Sequence, residues 1–179
     1  MKAPPELLTE AGCTQSEALL LSSLSGIYLS FGKGERTAPQ YIRSYDDAAA
    51  FAVRLYLSSV TEQVFLLCLS GTLRLLECVP LGSGTQDRAP AYIRSVLSHA
   101  SRSSCRYLII CHNHPGGNRM PSREDLELTL SIMTALHPMG IPVLEHIIVS
   151  GRQTTGVRKD GYLSNELFIA QGVLPSGWQ

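Results

Sequence analysis

One continuous apolar run, followed closely by a capped helix, does most to limit the folds open to this chain of 179 residues. The run Arg106 to Cys111 (RYLIIC) is typical of a strand buried on both faces of a sheet. Ser122 to Leu136 is the strongest helix pattern in the chain, with Pro121 before it, a serine cap, acids in the first turn and Gly140 after it. A buried strand leading into such a helix indicates a sheet covered by helices.

The remaining patterns fit the same architecture. Ser44 caps a helix-like pattern up to Leu57, and Ala89 to Ala100 has the apolar spacing of an amphipathic helix. Strand patterns cover Val60 to Ser70, Leu73 to Leu81, Ile141 to Val149 and a short stretch within Gly151 to Gly161. The order α, β, β, α, β, α, β, β predicts an α+β (mixed α/β) fold, with a mixed β-sheet flanked by helices.

Breaker residues divide the chain. Pro4 to Ser30 reads as one or two short helices, and Gly32 to Pro39 (GKGERTAP) is the best linker candidate. We therefore expect a short helical N-terminal segment and linker at 1–38 and a domain at 39–165. A C-terminal tail is expected at 166–179, where little periodicity is visible.

Charge and composition indicate a compartment but no partner. Lys plus Arg and Asp plus Glu both number 15, so the charge balance gives no support to DNA as a partner, although it does not forbid it. No stretch approaches the roughly 20 apolar residues of a membrane span, and no secretory signal is seen at the start. We expect a soluble cytoplasmic protein without a membrane partner. The five cysteines are unclustered, which favours reduced thiols.

Two histidines follow the buried strand. Residues two apart on a strand share a face, so His112 and His114 point the same way. A catalytic zinc site typically has three protein ligands and an open fourth position. Asp125 is the natural third ligand, because the turn at Pro115 to Gly117 lets the first turn of the next helix face back. Ser122, three residues earlier, lies on the same helix face as Asp125.

Hydrolysis at an open zinc also needs a carboxylate that moves a proton from water to the leaving group. Glu62, in the otherwise apolar segment Val60 to Ser70, is the candidate, and we expect it to be partly buried. Glu77, in the returning strand, is its rival. Periodicity alone does not choose between them.

Simpler interpretations stand beside these. A lone His-x-His is more often incidental than a metal pair, and Ser122 with Asp125 reads equally well as a helix cap. His99 and His137 are expected on the surface or in caps, and His146 as a hydrogen-bonded core histidine. The stretch 82–85 (GSGT) lacks the lysine of a phosphate loop and reads as a turn. Only the combination HxHP, six residues, then SxxD is specific.

That combination resembles the signature of the JAMM (JAB/MPN) metalloprotease-like domain, and the run HNHPGGNRMPSREDLELT is similar to the RadC family in particular. EQVFLLCLS and LEHIIV match further stretches of that family, so the resemblance covers about residues 40 to 162. It implies a JAB/MPN (cytidine-deaminase-like) sandwich and a Zn2+ site of His112, His114 and Asp125. It also implies that Glu62, rather than Glu77, is the general acid/base.

The resemblance further implies that Ser122 hydrogen-bonds the tetrahedral intermediate. The expected function is therefore zinc-dependent hydrolysis of a peptide or isopeptide bond in a protein or peptide substrate, including one attached to a modified lysine. The alternative is a RadC-like non-catalytic module that binds a protein or a DNA-associated partner. Three positions depart from the family pattern: Gly116 and Gly156 stand where serine is usual, and Glu145 where aspartate is usual. Met1 to Ser30 is too short for the helix-hairpin-helix region of full-length RadC proteins.

Overall fold

The computed structural model describes residues 14, 40–57, 59–82, 89–102 and 104–178, within which Gln40–Gln179 form one compact unit. The N-terminal helices, the linker and the boundary predicted at residue 38 lie outside these residues. The helices are α1 (Tyr45–Leu55), α2 (Ala89–Arg102), α3 (Arg123–Leu136) and the short α4 (Asn165–Ile169), with one 3-10 turn at His137–Met139. The strands are β1 (Val64–Leu69), β2 (Leu75–Gly82), β3 (Tyr107–Asn113), β4 (Val143–Ser150) and β5 (Gln153–Gly156).

The strands form one five-stranded sheet in the order β2-β1-β3-β4-β5. β1 runs antiparallel to both β2 and β3, β3 and β4 are parallel, and β5 returns antiparallel to β4. The parallel pair is joined through α3, as a parallel connection requires. The mixed sheet and the element order predicted from the sequence are confirmed.

Both faces of the sheet are covered. On one face Leu66 and Ile110 pack with Ile132 of α3, in a cluster that also includes residues of α2. On the other face Leu67 and Ile109 pack in a cluster with α1. All five of these side chains are fully buried, and each such burial contributes about 1.5 to 3 kcal/mol. The two-sided burial explains why the strands have continuous apolar runs instead of alternation.

Capping residues define the ends of α3, the helix that carries Asp125. Ser122 is the N-cap of α3, and its side chain accepts a hydrogen bond from the backbone N–H of Asp125. The Asp125 side chain in turn accepts from the backbone N–H of Ser122, which completes a capping box. At the other end, Gly140 closes the 3-10 turn with a left-handed φ of 63° that favours glycine.

Two expectations differ from the structure. β1 begins at Val64 instead of Val60, so Glu62 lies on an irregular segment before the strand. The segment 166–179 does not behave as a tail, because Phe168, Leu174 and Trp178 are buried in the two clusters of core residues. Within the described residues, no helix has the length and apolar character to cross a membrane.

Candidate metal centre

Three segments meet at the carboxyl end of β3. His112 lies on β3 and His114 directly follows it, while Asp125 lies in the first turn of α3. Glu62 precedes β1, and the antiparallel register pairs Val64 with His112. The fold thus places all four predicted side chains at one end of the central strands. Ligand sites occur at this end of parallel strands because the loops and helix N-termini gather there.

The Glu62 carboxylate contacts both histidines. Its Oε1 lies 2.7 Å from Nε2 of His112 and 3.8 Å from Nε2 of His114. The two imidazole rings meet edge to face, with centroids 4.8 Å apart. The Glu62 side chain is 59% exposed, so the partial burial expected from the sequence is not found. Glu62 is instead a mostly solvated carboxylate beside one buried imidazole, His112, and one half-buried imidazole, His114.

Asp125, in the first turn of α3, contacts the same two histidines. Its Oδ1 lies 2.7 Å from Nδ1 of His112, and its Oδ2 lies 3.3 Å from Nε2 of His114. Unlike Glu62, Asp125 is buried, with 4% of the residue exposed. Its Oδ2 also accepts from both the backbone N–H and the hydroxyl of Ser122, each at 2.8 Å. Asp125 is therefore held in one orientation before any ligand arrives.

The charges around Asp125 act strongly on its ionisation. Burial by itself would raise the pKa of Asp125, but the imidazoles of His112 and His114 outweigh it and hold that pKa well below the usual range. The hydrogen bond to Asp125 in turn raises the pKa of His114. His114 also contacts the backbone carbonyl of Asn118 through Nδ1, at 2.8 Å, and donating to it would leave Nε2 free to ligate. An ionised carboxylate and the imidazoles beside it are together suitable ligands for a divalent cation.

The donor set could hold a divalent metal ion. Glu62, His112 and His114 each offer a ligand atom, and these atoms all lie within 4.8 Å of one another. His112 Nδ1 is buried, and its nearest charged neighbour is Asp125 Oδ1 at 2.7 Å. Imidazole nitrogen with carboxylate oxygen is the ligand chemistry of catalytic zinc sites.

Ser122 stands at the rim of this cluster. Its hydroxyl donates to Asp125 Oδ2 and accepts from the Asp125 backbone N–H at 3.1 Å. The residue is exposed, so its hydroxyl remains within reach of a bound substrate. Ser122 is therefore a helix cap, as one interpretation expected, and its role at the site stays a prediction.

The other sequence candidates lie elsewhere. Glu77, the rival of Glu62, contacts Nδ1 of His99 at 3.2 Å and belongs to β2 at the edge of the sheet. His137 is an exposed residue at the end of α3. Of the turn at 82–85, residues 83–85 lie outside the part of the chain that the structure describes. The strand order therefore places Glu62, and not Glu77, beside the histidines, a choice that periodicity left open.

Sequence reasoning missed the surroundings of His146. As expected, it is a buried, hydrogen-bonded core residue: its Nδ1 lies 2.7 Å from the hydroxyl of Thr129. That hydroxyl donates to the backbone carbonyl of Asp125, at 2.7 Å. The His146 ring also stacks against His112, with centroids 6.1 Å apart. Burial lowers the pKa of His146 to about 3, so the ring is neutral. A threonine facing a strand histidine gives no local sequence signal.

Residues 42–162 match the RadC-like JAB domain. The chain belongs to the RadC family. The match begins just before α1 and ends after β5, so this RadC-like domain includes every strand of the sheet and all four residues of the candidate centre. The resemblance noted from the motif, and the JAB/MPN-type fold it implied, are confirmed.

Relatives of similar sequence are known from several bacteria. A UPF0758 protein of Bordetella parapertussis is 31% identical over 125 residues, which cover 70% of this chain and 53% of the relative. A UPF0758 protein of Leptothrix cholodnii is 35% identical over 127 residues, which cover 70% of this RadC-like chain and 54% of the relative. A UPF0758 protein of Pseudomonas putida is 36% identical over 117 residues, which cover 63% of this chain and 52% of the relative. The chain thus spans about half the length of these relatives.

Proposed function

We propose that this RadC-like protein is a zinc-dependent hydrolase that cleaves a peptide or isopeptide bond. The observation that carries the proposal is the convergence of two differently held carboxylates on one pair of histidines. Asp125 is buried and fixed by Ser122, whereas the Glu62 side chain is 59% exposed and contacts the histidines through one oxygen. A fixed carboxylate suits a metal ligand, and a free one suits proton transfer.

In this assignment His112, His114 and Asp125 hold the zinc ion. When bound, zinc supplies Lewis acidity, which polarises a scissile carbonyl and acidifies water. Glu62 takes a proton from the attacking water through the oxygen that now faces His112 and delivers it to the leaving amine. The Ser122 hydroxyl turns from Asp125 to donate to the oxyanion that develops on the substrate carbonyl.

The substrate class follows from the reaction. An amine leaving group needs a proton before it departs, and Glu62 is exposed enough to reach it. The site is open to solvent on the side of Glu62 and Ser122, which leaves room for a protein or peptide chain, including one joined through a modified lysine.

Elemental analysis of purified protein tests the metal assignment. We expect zinc in the wild type and in Glu62→Gln, and loss of zinc in His112→Ala and Asp125→Asn. Glu77→Gln is the matched control, because Glu77 is also a glutamate in contact with a histidine, at 3.2 Å, but outside the site. Absence of zinc from the wild type, or equal zinc in His112→Ala, would overturn the proposal.

A proteomic comparison tests the chemistry. Cells carrying Glu62→Gln should accumulate the uncut chains or modified lysines that the wild type removes, while Glu77→Gln cells should not. If Glu62→Gln binds zinc and yet leaves the proteome and the cell unchanged, the protein is instead a non-catalytic module that binds a protein or DNA-associated partner.

A further inference from the structure

The side-chain amide of Asn113 bridges the residues on either side of Glu62. Its Nδ2 donates to the backbone carbonyl of Thr61 at 3.0 Å, and its Oδ1 accepts from the backbone N–H of Gln63 at 2.7 Å. Asn113 is 4% exposed, so water does not compete for these bonds. A carboxamide offers a donor and an acceptor side by side without carrying a charge.

This bridge replaces a regular strand contact. β1 and β3 pair as far as Val64 and His112, and one residue further the Asn113 N–H still donates to the Gln63 carbonyl, at 3.3 Å. The N–H of Gln63, however, is bound by the Asn113 side chain. β1 therefore begins at Val64. The Asn113 side chain fixes the backbone of the residues that precede it.

Side chains alternate between the two faces of β3, so the tripeptide 112–114 presents different groups on its two faces. His112 and His114 project from one face towards the centre, while Asn113 between them projects from the other. The same three residues therefore carry both imidazoles and the amide that fixes the backbone of Glu62. Without the amide, Gln63 would keep bonds to its carbonyl from Asn113 and from the Tyr56 hydroxyl at 3.3 Å, but Thr61 would lose its described bond to β3.

We propose that Asn113 is the positioning residue for Glu62. The proposal rests on the hydrolase function above, in which Glu62 moves the proton. The Asn113 amide projects away from the two histidines and bonds the backbone of Thr61 and Gln63 instead. It acts by holding the 61–63 backbone, so that the Glu62 carboxylate stays at 2.7 Å from His112 while its side chain remains exposed. Misplacing a reacting group by about 1 Å can cost on the order of 100-fold in rate, so such a brace has a catalytic effect.

Gln171 provides a matched control. It too is a buried carboxamide that bridges backbone groups: Oε1 accepts from the N–H of Val143 at 3.3 Å, and Nε2 donates to the carbonyl of Leu167 at 3.4 Å. Its contact with Val143 lies at the start of β4, whereas the centre lies at the opposite, carboxyl end of the parallel pair. Gln171→Ala removes the same chemistry without touching the segment of Glu62.

Two measurements test the proposal without a known substrate. In the zinc-free protein, amide hydrogen exchange followed by NMR should be roughly tenfold faster at Gln63 in Asn113→Ala, and unchanged there in Gln171→Ala. In the cobalt-substituted protein, Glu62→Gln should shift the visible spectrum. Asn113→Ala should reproduce that shift, the double variant should add nothing, and Gln171→Ala should match the wild type.

The outcomes separate the two proposals. If wild-type protein binds neither zinc nor cobalt, the hydrolase function fails. If it binds cobalt and Asn113→Ala keeps both the wild-type spectrum and slow exchange at Gln63, the positioning role fails while the hydrolase function stands. Asn113→Asp keeps the size and the acceptor for Gln63 but loses the donor to Thr61. It should therefore show a smaller change of the same kind, and it replaces Asn113→Ala if that variant does not fold.

Discussion

A Cβ atom added at Gly156 would lie 2.8 Å from Oε2 of Glu145. The same atom would lie 2.7 Å from Cε2 of Tyr45 and 3.0 Å from Cβ of Lys159. These contacts are too close for a real side chain, so glycine at 156 leaves the space that Glu145 and Tyr45 occupy. The resemblance to RadC sequences implies serine at 156 and aspartate at 145. The acid at 145 therefore occupies part of the space that a side chain at 156 would need.

Gly156→Ser should lower the free energy of unfolding by about 1 to 3 kcal/mol, the usual cost of overpacking. Adding Glu145→Asp should recover part of this loss, because the shorter side chain withdraws from the added Cβ. Gly116→Ser is the control: it also restores the RadC residue, but a Cβ there meets nothing within 4 Å. Urea unfolding of Gly156→Ser, Glu145→Asp, the double variant and Gly116→Ser measures the coupling, and additive effects of Glu145→Asp and Gly156→Ser would contradict it.

Stability should depend on pH through Glu145. Its fully buried carboxylate accepts from the backbone N–H groups of Arg158 at 2.7 Å, His146 at 2.9 Å and Lys159 at 3.0 Å. Burial raises the pKa of Glu145 from 4.5 to about 7, against the effect of these hydrogen bonds. The folded state therefore binds this proton more tightly than the unfolded state does.

It follows that the free energy of unfolding should fall as pH rises from about 4.5 to about 7, by up to about 3 kcal/mol from this group. Glu145→Gln cannot ionise, so its curve should lack this component. Urea unfolding at a series of pH values compares the two proteins. Parallel curves over this window would show that Glu145 is not the source.

The sequence was most informative where the structure depends on local contacts. His112 and His114 lie two residues apart at the end of β3, and Ser122 caps the helix that carries Asp125. The spacing in the sequence was therefore enough to select these four residues as candidates. Glu62 was different. Whether it or Glu77 reaches the histidines depends on β1, and not β2, lying next to β3, which no local pattern records.

The sequence was misleading where a single side chain or a distant contact decides the outcome. β1 starts at Val64 because the Asn113 amide takes the N–H of Gln63, and an apolar pattern does not show this. The C-terminal segment lacks periodicity, yet Trp178 is 1% exposed in the core beside α1, and Arg158 donates to its carbonyl at 2.6 Å. Burial of an irregular segment depends on the shape of the core that it meets.

Thr129→Val should reveal how much the core contact behind the site contributes. The Thr129 hydroxyl donates to the Asp125 carbonyl, so His146 must donate its Nδ1 proton to Thr129. Removal of the hydroxyl leaves that buried N–H without an acceptor, which typically costs about 1 to 3 kcal/mol. Thr134→Val is matched, because Thr134 in the same helix also donates to the carbonyl four residues earlier, but it is exposed. It should change stability by less than about 0.5 kcal/mol in thermal or urea unfolding. Equal losses would contradict the role of His146.

Ser122→Ala should affect both the helix and the metal site, and Ser44→Ala only the fold. Both serines are N-caps whose hydroxyls accept from a backbone N–H three residues on, at 3.1 Å from Asp125 and at 3.3 Å from Asp47. Each substitution should therefore lower the free energy of unfolding by about 1 kcal/mol. Only the Ser122 hydroxyl also donates to the carboxylate that we assign to zinc, at 2.8 Å from Asp125 Oδ2.

Partners that orient a metal-binding carboxylate typically contribute about 10- to 100-fold to metal affinity. The backbone N–H of Ser122 still holds Asp125 Oδ2 in Ser122→Ala, so we expect a loss near the lower end of that range. Competition with a zinc chelator, measured in both variants at a temperature where both remain folded, separates the effects. Unchanged zinc affinity in Ser122→Ala would mean that its hydroxyl acts on the helix alone, and an equal loss in Ser44→Ala would mean that zinc binding merely follows stability.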